Sequence, residues 1–367
     1  MSFLKFDPSV FIIGEEYEIT LITEECGIAA ILVGTKIYYE ENTGVLSTEK
    51  NRSKIRVPMA ELDAAREYTV LFRKTIERKA YFSRIGDPVS QKYSFRPIPS
   101  EGEVRIYYLS DVHYVFPPAV AAAGYFGEDT DLYVIGGDIG EVETVENYEG
   151  VLGFLSDIAG GERPMVFVRG NHDTRGHLAE LYTDYFPADG KKTYFTFKAG
   201  YIYGIVFDAG EDKPDSCPEY TYPKPDVFGG VNIFEEYRRR EDSFFESLRE
   251  GKEGEVVLAI GHIPPAYSNR RPGTVFDIER ERYDRWNREL ERVGVDIMLS
   301  GHYHSCFMLL PGDERSNTDH NYPIVIGSEP AKENFIGTAL RLTRDGYSLA
   351  FTDKDKTVLG EHSGVFS

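Results

Sequence analysis

Between residues 104 and 326 six apolar runs, at 104–109, 132–135, 165–168, 256–260, 296–299 and 323–326, break off abruptly. Five short polar motifs stand where they break. Asp111-Val112-His113 follows the first run, Gly137-Asp138 the second and Gly170-Asn171-His172-Asp173 the third. Gly261-His262 and Gly301-His302-Tyr303-His304 follow the next two. The runs are continuous rather than alternating, the pattern of strands buried on both faces. Helical periodicity at 143–158, 234–249 and 279–293 lies between them. That alternation predicts a parallel sheet between helical layers. In such sheets the crevice outside the C-terminal strand ends collects ligands. A glycine precedes the polar residue in four of the motifs, which permits a tight turn and close backbone approach; Ser110 takes that place in the first. Two hairpins are expected as well: 193–197 with 201–207, and 337–343 with 347–352 across Arg344-Asp345-Gly346.

Residues 1–99 have another rhythm. Segments 9–22, 28–39, 54–58, 68–74, 79–84 and 91–95 are rich in β-branched and aromatic residues. Turn sequences such as Glu41-Asn42-Thr43-Gly44 and Gly86-Asp87-Pro88 separate them, and no helix-length amphipathic pattern intrudes. This spacing predicts a small all-β sandwich. Tyr68 is expected at the corner before a late strand, with its hydroxyl bonded back to an earlier backbone group, as in fibronectin-like sandwiches. Arg96-Pro97-Ile98-Pro99-Ser100-Glu101-Gly102-Glu103 reads as a linker, because two prolines and a glycine break strand and helix alike. The expected division is an N-terminal sandwich over 1–99 and an α/β domain over 100–367.

Composition bounds the partners. Apolar residues make up 41% and aromatics 13%, enough for a substantial core and unlike a disordered chain. A net charge of −20 repels phosphate backbones and anionic bilayers, so general nucleic-acid binding and membrane binding are not expected. No run approaches the ~18 apolar residues of a membrane span. The opening Met1-Ser2-Phe3-Leu4-Lys5-Phe6-Asp7 lacks the pattern of a signal peptide. Cys26, Cys217 and Cys306 are too few, and odd in number, for a disulfide framework, which points to the reducing cytoplasm. Nothing in the sequence fixes an oligomeric state.

Taken singly, each motif is a weak signal. A lone Asp-x-His or a strand-end Gly-Asp is usually a turn or a helix cap. Five of them in order, each at a strand end, leave little room for that reading. Mixed oxygen and nitrogen ligands suit Mn, Fe or Zn, and His302 and His304, two apart on extended backbone, point the same way.

In every one of these blocks residues 104–330 resemble the calcineurin-like metallophosphoesterases. The resemblance implies a four-layer αββα sandwich with a dinuclear metal centre between its sheets, here preceded by the small fibronectin-like sandwich. It implies one ion on Asp111, His113 and His304, a second on Asn171, His262 and His302, and Asp138 bridging the two. The implied activity is hydrolysis of a small phosphate ester, as a phosphatase or phosphodiesterase, with a metal-bridging hydroxide as nucleophile. His172 is then the general acid facing the leaving group, with Asp173 holding its ring. Arg169, Arg175 and His177 flank this loop and are candidates for contact with the substrate phosphate. His320 and His362 stand outside every motif and are expected on the surface.

Departures from relatives narrow the reading. Asp138-Ile139-Gly140-Glu141 lacks the Asp-Arg-Gly element of the Ser/Thr protein phosphatases, which argues against that activity. The tyrosine ligand of purple acid phosphatases is missing too, the nearest being Tyr148, yet the order of sandwich, proline linker and phosphoesterase domain is similar to theirs. Two insertions read either as loops that shape specificity or as packed surface loops: 208–230, with Tyr220, Tyr222 and Phe228, and 263–276, with Tyr267, Arg270 and Arg271. The competing reading is a binding or scaffold protein on the same fold that recognises a partner through its sandwich; the complete ligand set and the intact His172 count against it.

Overall fold

The computed structural model describes residues 2–217, 231–267 and 274–366. Tyr220, Tyr222, Phe228, Arg270 and Arg271 lie outside the described residues. At the centre, Val104–Leu109, Leu132–Ile135 and Pro164–Phe167 run parallel. The antiparallel strands Asn334–Thr343, Gly346–Thr352 and Val358–Val365 extend this first sheet on one side. A second sheet places Phe195–Ala199, Ile202–Val206, Val256–Ile260, Ile297–Ser300 and Ile324–Ala331 side by side, with Ser305–Leu309 at its far edge. The two sheets are joined where the end of Ile324–Ala331 turns into Asn334–Thr343.

Side-chain alternation along the strands builds the layers. Ile106, Tyr108, Val134 and Val166 of the first sheet face Leu258, Ile260, Ile297 and Leu299 of the second in one apolar cluster. Tyr107, Leu109, Ile135 and Phe167 point outward, against residues of the helices Phe116–Ala123 and Val145–Ala159. On the other side Ile205, Phe207, Val257 and Met298 meet Phe245, Tyr283, Trp286 and Leu290 of the helices Phe234–Ser247 and Arg280–Arg292. The outcome is helix, sheet, sheet, helix, the expected four layers. Thr144 caps Val145–Ala159 in a capping box with Asn147, and Gly160 ends it in a left-handed conformation.

The N-terminal region is β-rich, as expected, and continuous with the first sheet. Segment 9–22 folds at Gly14 into the hairpin Ser9–Ile13 and Glu16–Ile22, and Arg52–Pro58 follows as the third strand. Ser9–Ile13 lies parallel beside Pro164–Phe167, so the first sheet runs on into these strands. Facing them is a smaller sheet of Val89–Ser94, Glu67–Arg78, Gly27–Val33 and Lys36–Tyr39. Ile31, Val33, Val70 and Phe72 belong to the same apolar cluster as the inter-sheet core. Three expectations need correction here. Segment 79–84 is not one strand but a turn between Glu67–Arg78 and Ser83–Ile85. A short helix, Met59–Ala65, interrupts the strands. The Tyr68 hydroxyl reaches forward rather than back, donating to the Gly161 carbonyl at 2.7 Å, because the packed neighbour of this strand is the end of Val145–Ala159.

Candidate metal centre

Each motif sits where its strand ends on the same edge of the layers. Asp111, His113, Asp138, His302 and His304 all have positive φ, between 44° and 74°. Left-handed backbone at non-glycine residues costs ~1–3 kcal/mol each and persists where surrounding structure imposes it. The imposed contacts are on view. Asp111 N–H donates to the Gly137 carbonyl at 2.8 Å and His113 N–H to the Asp138 carbonyl at 3.2 Å. The Asp111 carboxylate accepts the His302 N–H at 2.9 Å, which ties the first sheet's loop to the second's.

These turns gather the ligand atoms. One donor atom from each of Asp111, His113 and His304 lies within 4.8 Å of the others, and the same holds for Asp138, His262 and His302. Asn171 Oδ1 is 2.9 Å from His302 Nδ1, so it joins the second group. Asp138 Oδ2 lies 3.2 Å from His262 Nε2 and 4.0 Å from His113 Nε2, between the two groups. All seven expected ligands therefore come together.

Three of the four candidate histidine ligands are held neutral, and His262 is driven the other way by the carboxylates beside it. Burial drives His113 down to about 4 and His302 down to about 3, and lowers His304, so these rings are neutral donors. His113 Nε2 and His304 Nε2 face each other at 3.1 Å, close enough for both to present a lone pair to one cation. His262 gives its Nδ1–H to the Gly136 carbonyl at 2.8 Å, which turns Nε2 toward Asp138. That Nε2 is buried and has no hydrogen bond of good geometry. Burial opposes its charge, but Asp138 and Asp111 outweigh burial and lift it to about 10. Burial, with Asp138 adding to it, pushes Asp111 up to about 7. Burial raises Asp138 as well, but His262 and the His172 N–H more than offset it and leave it low. Carboxylates and imidazoles that contest protons in a buried cluster are the setting a divalent ion resolves.

The acid loop differs from expectation in one respect. Asp173 does not hold the His172 ring. Its carboxylate turns back and accepts the backbone N–H groups of Gly170 at 2.8 Å, Asp138 at 2.9 Å and Ile139 at 3.3 Å. Glu141 takes the ring instead, with Oε1 2.8 Å from His172 Nδ1. Glu141 stands three residues after Asp138, and nothing in its bare sequence context distinguished it. The His172 N–H donates to Asp138 Oδ1 at 2.7 Å, and its ring lies edge-on to His113 with centroids 4.8 Å apart.

The two arginines part company. Arg169 is committed to Asp208, at 2.6 and 2.8 Å, among the rings of Tyr182, Phe234 and Tyr237, and does not face the cluster. Its expected substrate contact is therefore withdrawn. Arg175 stays at the site, with Nη1 3.0 Å from His172 Nε2 and a bidentate pair to Glu211 at 2.6 and 2.8 Å. His177 is exposed and points no contact at the cluster beyond its N–H to Glu143. His362 is exposed as expected, whereas His320 is buried, bound to the Tyr322 carbonyl and to Ser316, because the loop around it folds under Arg280–Arg292. Tyr148 is buried in the core away from the ligands, its hydroxyl on the Leu178 carbonyl. Cys26, Cys217 and Cys306 are free thiols.

Comparison with known proteins agrees with this geometry. The family model for calcineurin-like phosphoesterases matches residues 104–306. No curated protein matches by sequence. Among solved structures, purple acid phosphatase PPD1 from yellow lupin (Lupinus luteus) seeds superposes with a TM-score of 0.63 at 13% identity, covering 97% of this chain and 73% of its own. A structure of PhoD superposes with a TM-score of 0.58 at 11% identity, covering 98% and 88% respectively. At these identities the likeness is one of fold.

Proposed function

Because the chain belongs to the calcineurin-like phosphoesterase family, we propose that it hydrolyses small phosphate esters at two metal ions held between its sheets. The observation that carries this is the pair of ligand clusters, Asp111–His113–His304 and Asp138–His262–His302, meeting at Asp138. Asp111, His113 and His304 are assigned to one ion, and Asn171, His262 and His302 to the other. Asp138, with Oδ2 3.2 Å from His262 Nε2 and 4.0 Å from His113 Nε2, would offset the repulsion of two cations held there. Mixed O and N donors without thiolates favour Mn, Fe or Zn. When bound, such a pair activates a water molecule as nucleophile near neutral pH and neutralises the phosphate oxygens.

His172 is the proposed general acid: Glu141 holds Nδ1, and Nε2, which accepts from Arg175 Nη1 at 3.0 Å in this structure, takes up a proton once Arg175 turns to the substrate phosphate and delivers it to the leaving oxygen. Asp173 shapes the loop rather than the ring. Arg175, beside His172 Nε2, is the proposed contact for the non-reacting phosphate oxygens. Free thiols favour a cytoplasmic location, and among the described residues no helix is long and apolar enough to cross a membrane.

The test is elemental analysis of the purified chain, with turnover of p-nitrophenyl phosphate and its bis-ester after chelation and add-back of Mn, Fe or Zn. Metal-dependent turnover is expected, and the preferred ester decides between monoesterase and diesterase. A folded chain that binds no metal and cleaves neither ester would sink the proposal.

A further inference from the structure

Two arginines bracket the segment that carries Asn171 and His172, and both are held by carboxylates of a single loop on the other sheet. Arg169 pairs with Asp208, and Arg175 with Glu211. The acid segment follows Pro164–Phe167 of the first sheet, while 208–212 follows Ile202–Val206 of the second. Asp208 is 0% and Glu211 1% exposed, so both pairs are shielded and neither is a surface bridge of little worth. Arg175 uses Nε and Nη2 on Glu211, which turns Nη1 toward His172 Nε2 at 3.0 Å. Asp212, next in the loop, brings Oδ2 to 3.9 Å from His302 Nε2.

The loop is itself anchored from behind. Arg238 donates to the carbonyls of Ala209 and Glu211 at 2.9 and 3.0 Å, and Glu241 Oε1 accepts the Asp208 N–H at 2.9 Å. These two residues are three apart on Phe234–Ser247, hence on one face of that helix, and both are 0% exposed. A chain of contacts thus runs from the outer helix through 208–212 to the residues around His172.

We propose that 208–212 is a positioning element for the acid loop: Glu211 orients Arg175, and through it His172, while Asp208 fixes Arg169 at the other end of the segment. This deepens the phosphoesterase reading and rests on it. Burying both carboxylates makes the segment's placement depend on a partner in the opposite sheet, so loss of Glu211 shifts His172 without removing any metal ligand. Displacing a reacting group by a fraction of an ångström to an ångström costs about ten- to a hundredfold in rate.

The experiment combines Glu211→Gln, Arg175→Gln and the double variant in the full chain. Readouts are kcat and KM, metal content, and amide hydrogen exchange of the metal-free protein. Glu211→Gln is expected to lower kcat about tenfold with metal content unchanged, and to speed exchange at 170–174 while 133–135 and 165–167 stay protected. In the Arg175→Gln background the Glu211 substitution is expected to have no further effect on kcat. Losses that multiply, or unaltered exchange at 170–174, overturn the proposal. Should Glu211→Gln not fold, Glu211→Asp, which keeps the charge on a shorter arm, is expected to lower kcat only when Arg175 is present. A native chain without turnover removes the phosphoesterase reading, whereas the exchange result still decides the positioning role.

Discussion

Replacing Glu141 with Gln separates the two carboxylates that compete for the role of orienting His172. The substitution keeps the shape of the side chain and removes its charge 2.8 Å from His172 Nδ1. A hydrogen bond with one ionised partner contributes ~1.5–3 kcal/mol and a neutral one ~0.5–1.5, so the amide forfeits ~1–1.5 kcal/mol of the ring's anchoring. The Glu141 side chain is 43% exposed, and water keeps the loss at this level, well under the ~4 kcal/mol of two charges 4 Å apart at an effective dielectric of 20. In rate this is about 5- to 12-fold. The assay is kcat on an alkyl phosphate, whose leaving group needs a proton, beside p-nitrophenyl phosphate, whose leaving group does not, with metal content measured on the same samples. Turnover of the alkyl ester should fall about tenfold, that of the nitrophenyl ester should change less than about twofold, and the metals should remain. An equal fall on both esters, or none on the alkyl ester, refutes the assignment of Glu141 to His172.

Asp173→Asn should behave in the opposite way: three backbone donors lose a carboxylate, so stability to urea falls by ~2–4 kcal/mol and metal content falls with it; retention of both would contradict the loop-shaping role. Asp138→Asn should reduce bound metal below the native content, measured by elemental analysis, and an unchanged content removes the bridging assignment. Burial, reinforced by the Asp208 charge, raises Glu241 well above the usual carboxylate range. An unfolded Glu releases its proton near ~4.3 while the folded one keeps it, so above that pH the native state binds the extra proton and stability drains at up to ~1.4 kcal/mol per pH unit. Glu241→Gln should therefore gain on the native chain between pH 5 and pH 8 in urea unfolding, and an equal difference at both pH values speaks against a protonated Glu241. Deleting residues 1–99 strips Ser9–Ile13 from the edge of Pro164–Phe167 and uncovers the shared apolar cluster. The remainder should aggregate; a soluble, active fragment would establish 100–367 as a separate domain.

The site was legible because its chemistry is written at strand ends. A buried strand is a continuous apolar run, and the residue that follows it is positioned by the sheet, so the sequence alone puts Asp111, Asp138, Asn171, His262 and His302 at strand ends. What escaped is direction and long-range pairing. Asp173 neighbours His172 in sequence, yet its carboxylate turns to three backbone N–H groups, and the ring goes to Glu141 on another loop. Arg169 stands as near the acid as Arg175 does, and only the fold reveals that Asp208 claims it. Likewise, 1–99 reads as a separate sandwich because its strands are locally complete; that Ser9–Ile13 lines up with Pro164–Phe167 is a contact between segments far apart in the chain. Segment 116–123 lacks a polar face, so the helix there left no periodic signature.

The two sheets are tied at both ends. Ile324–Ala331 crosses into Asn334–Thr343 at one side, and at the other Gly14 bonds to Thr196 and Lys198, stapling the first sheet's N-terminal hairpin to the outermost strand of the second. The ligand halves are thus carried on a belt of backbone hydrogen bonds whose dimensions do not depend on what hangs from its rim. The described residues 209–217 and 263–267 follow Ile202–Val206 and Val256–Ile260 and lie outside that belt. In such a body the belt sets the spacing of the ligand residues, so loop residues outside 208–212 can be replaced without moving the backbone that carries Asp111, Asp138, Asn171, His262 and His302.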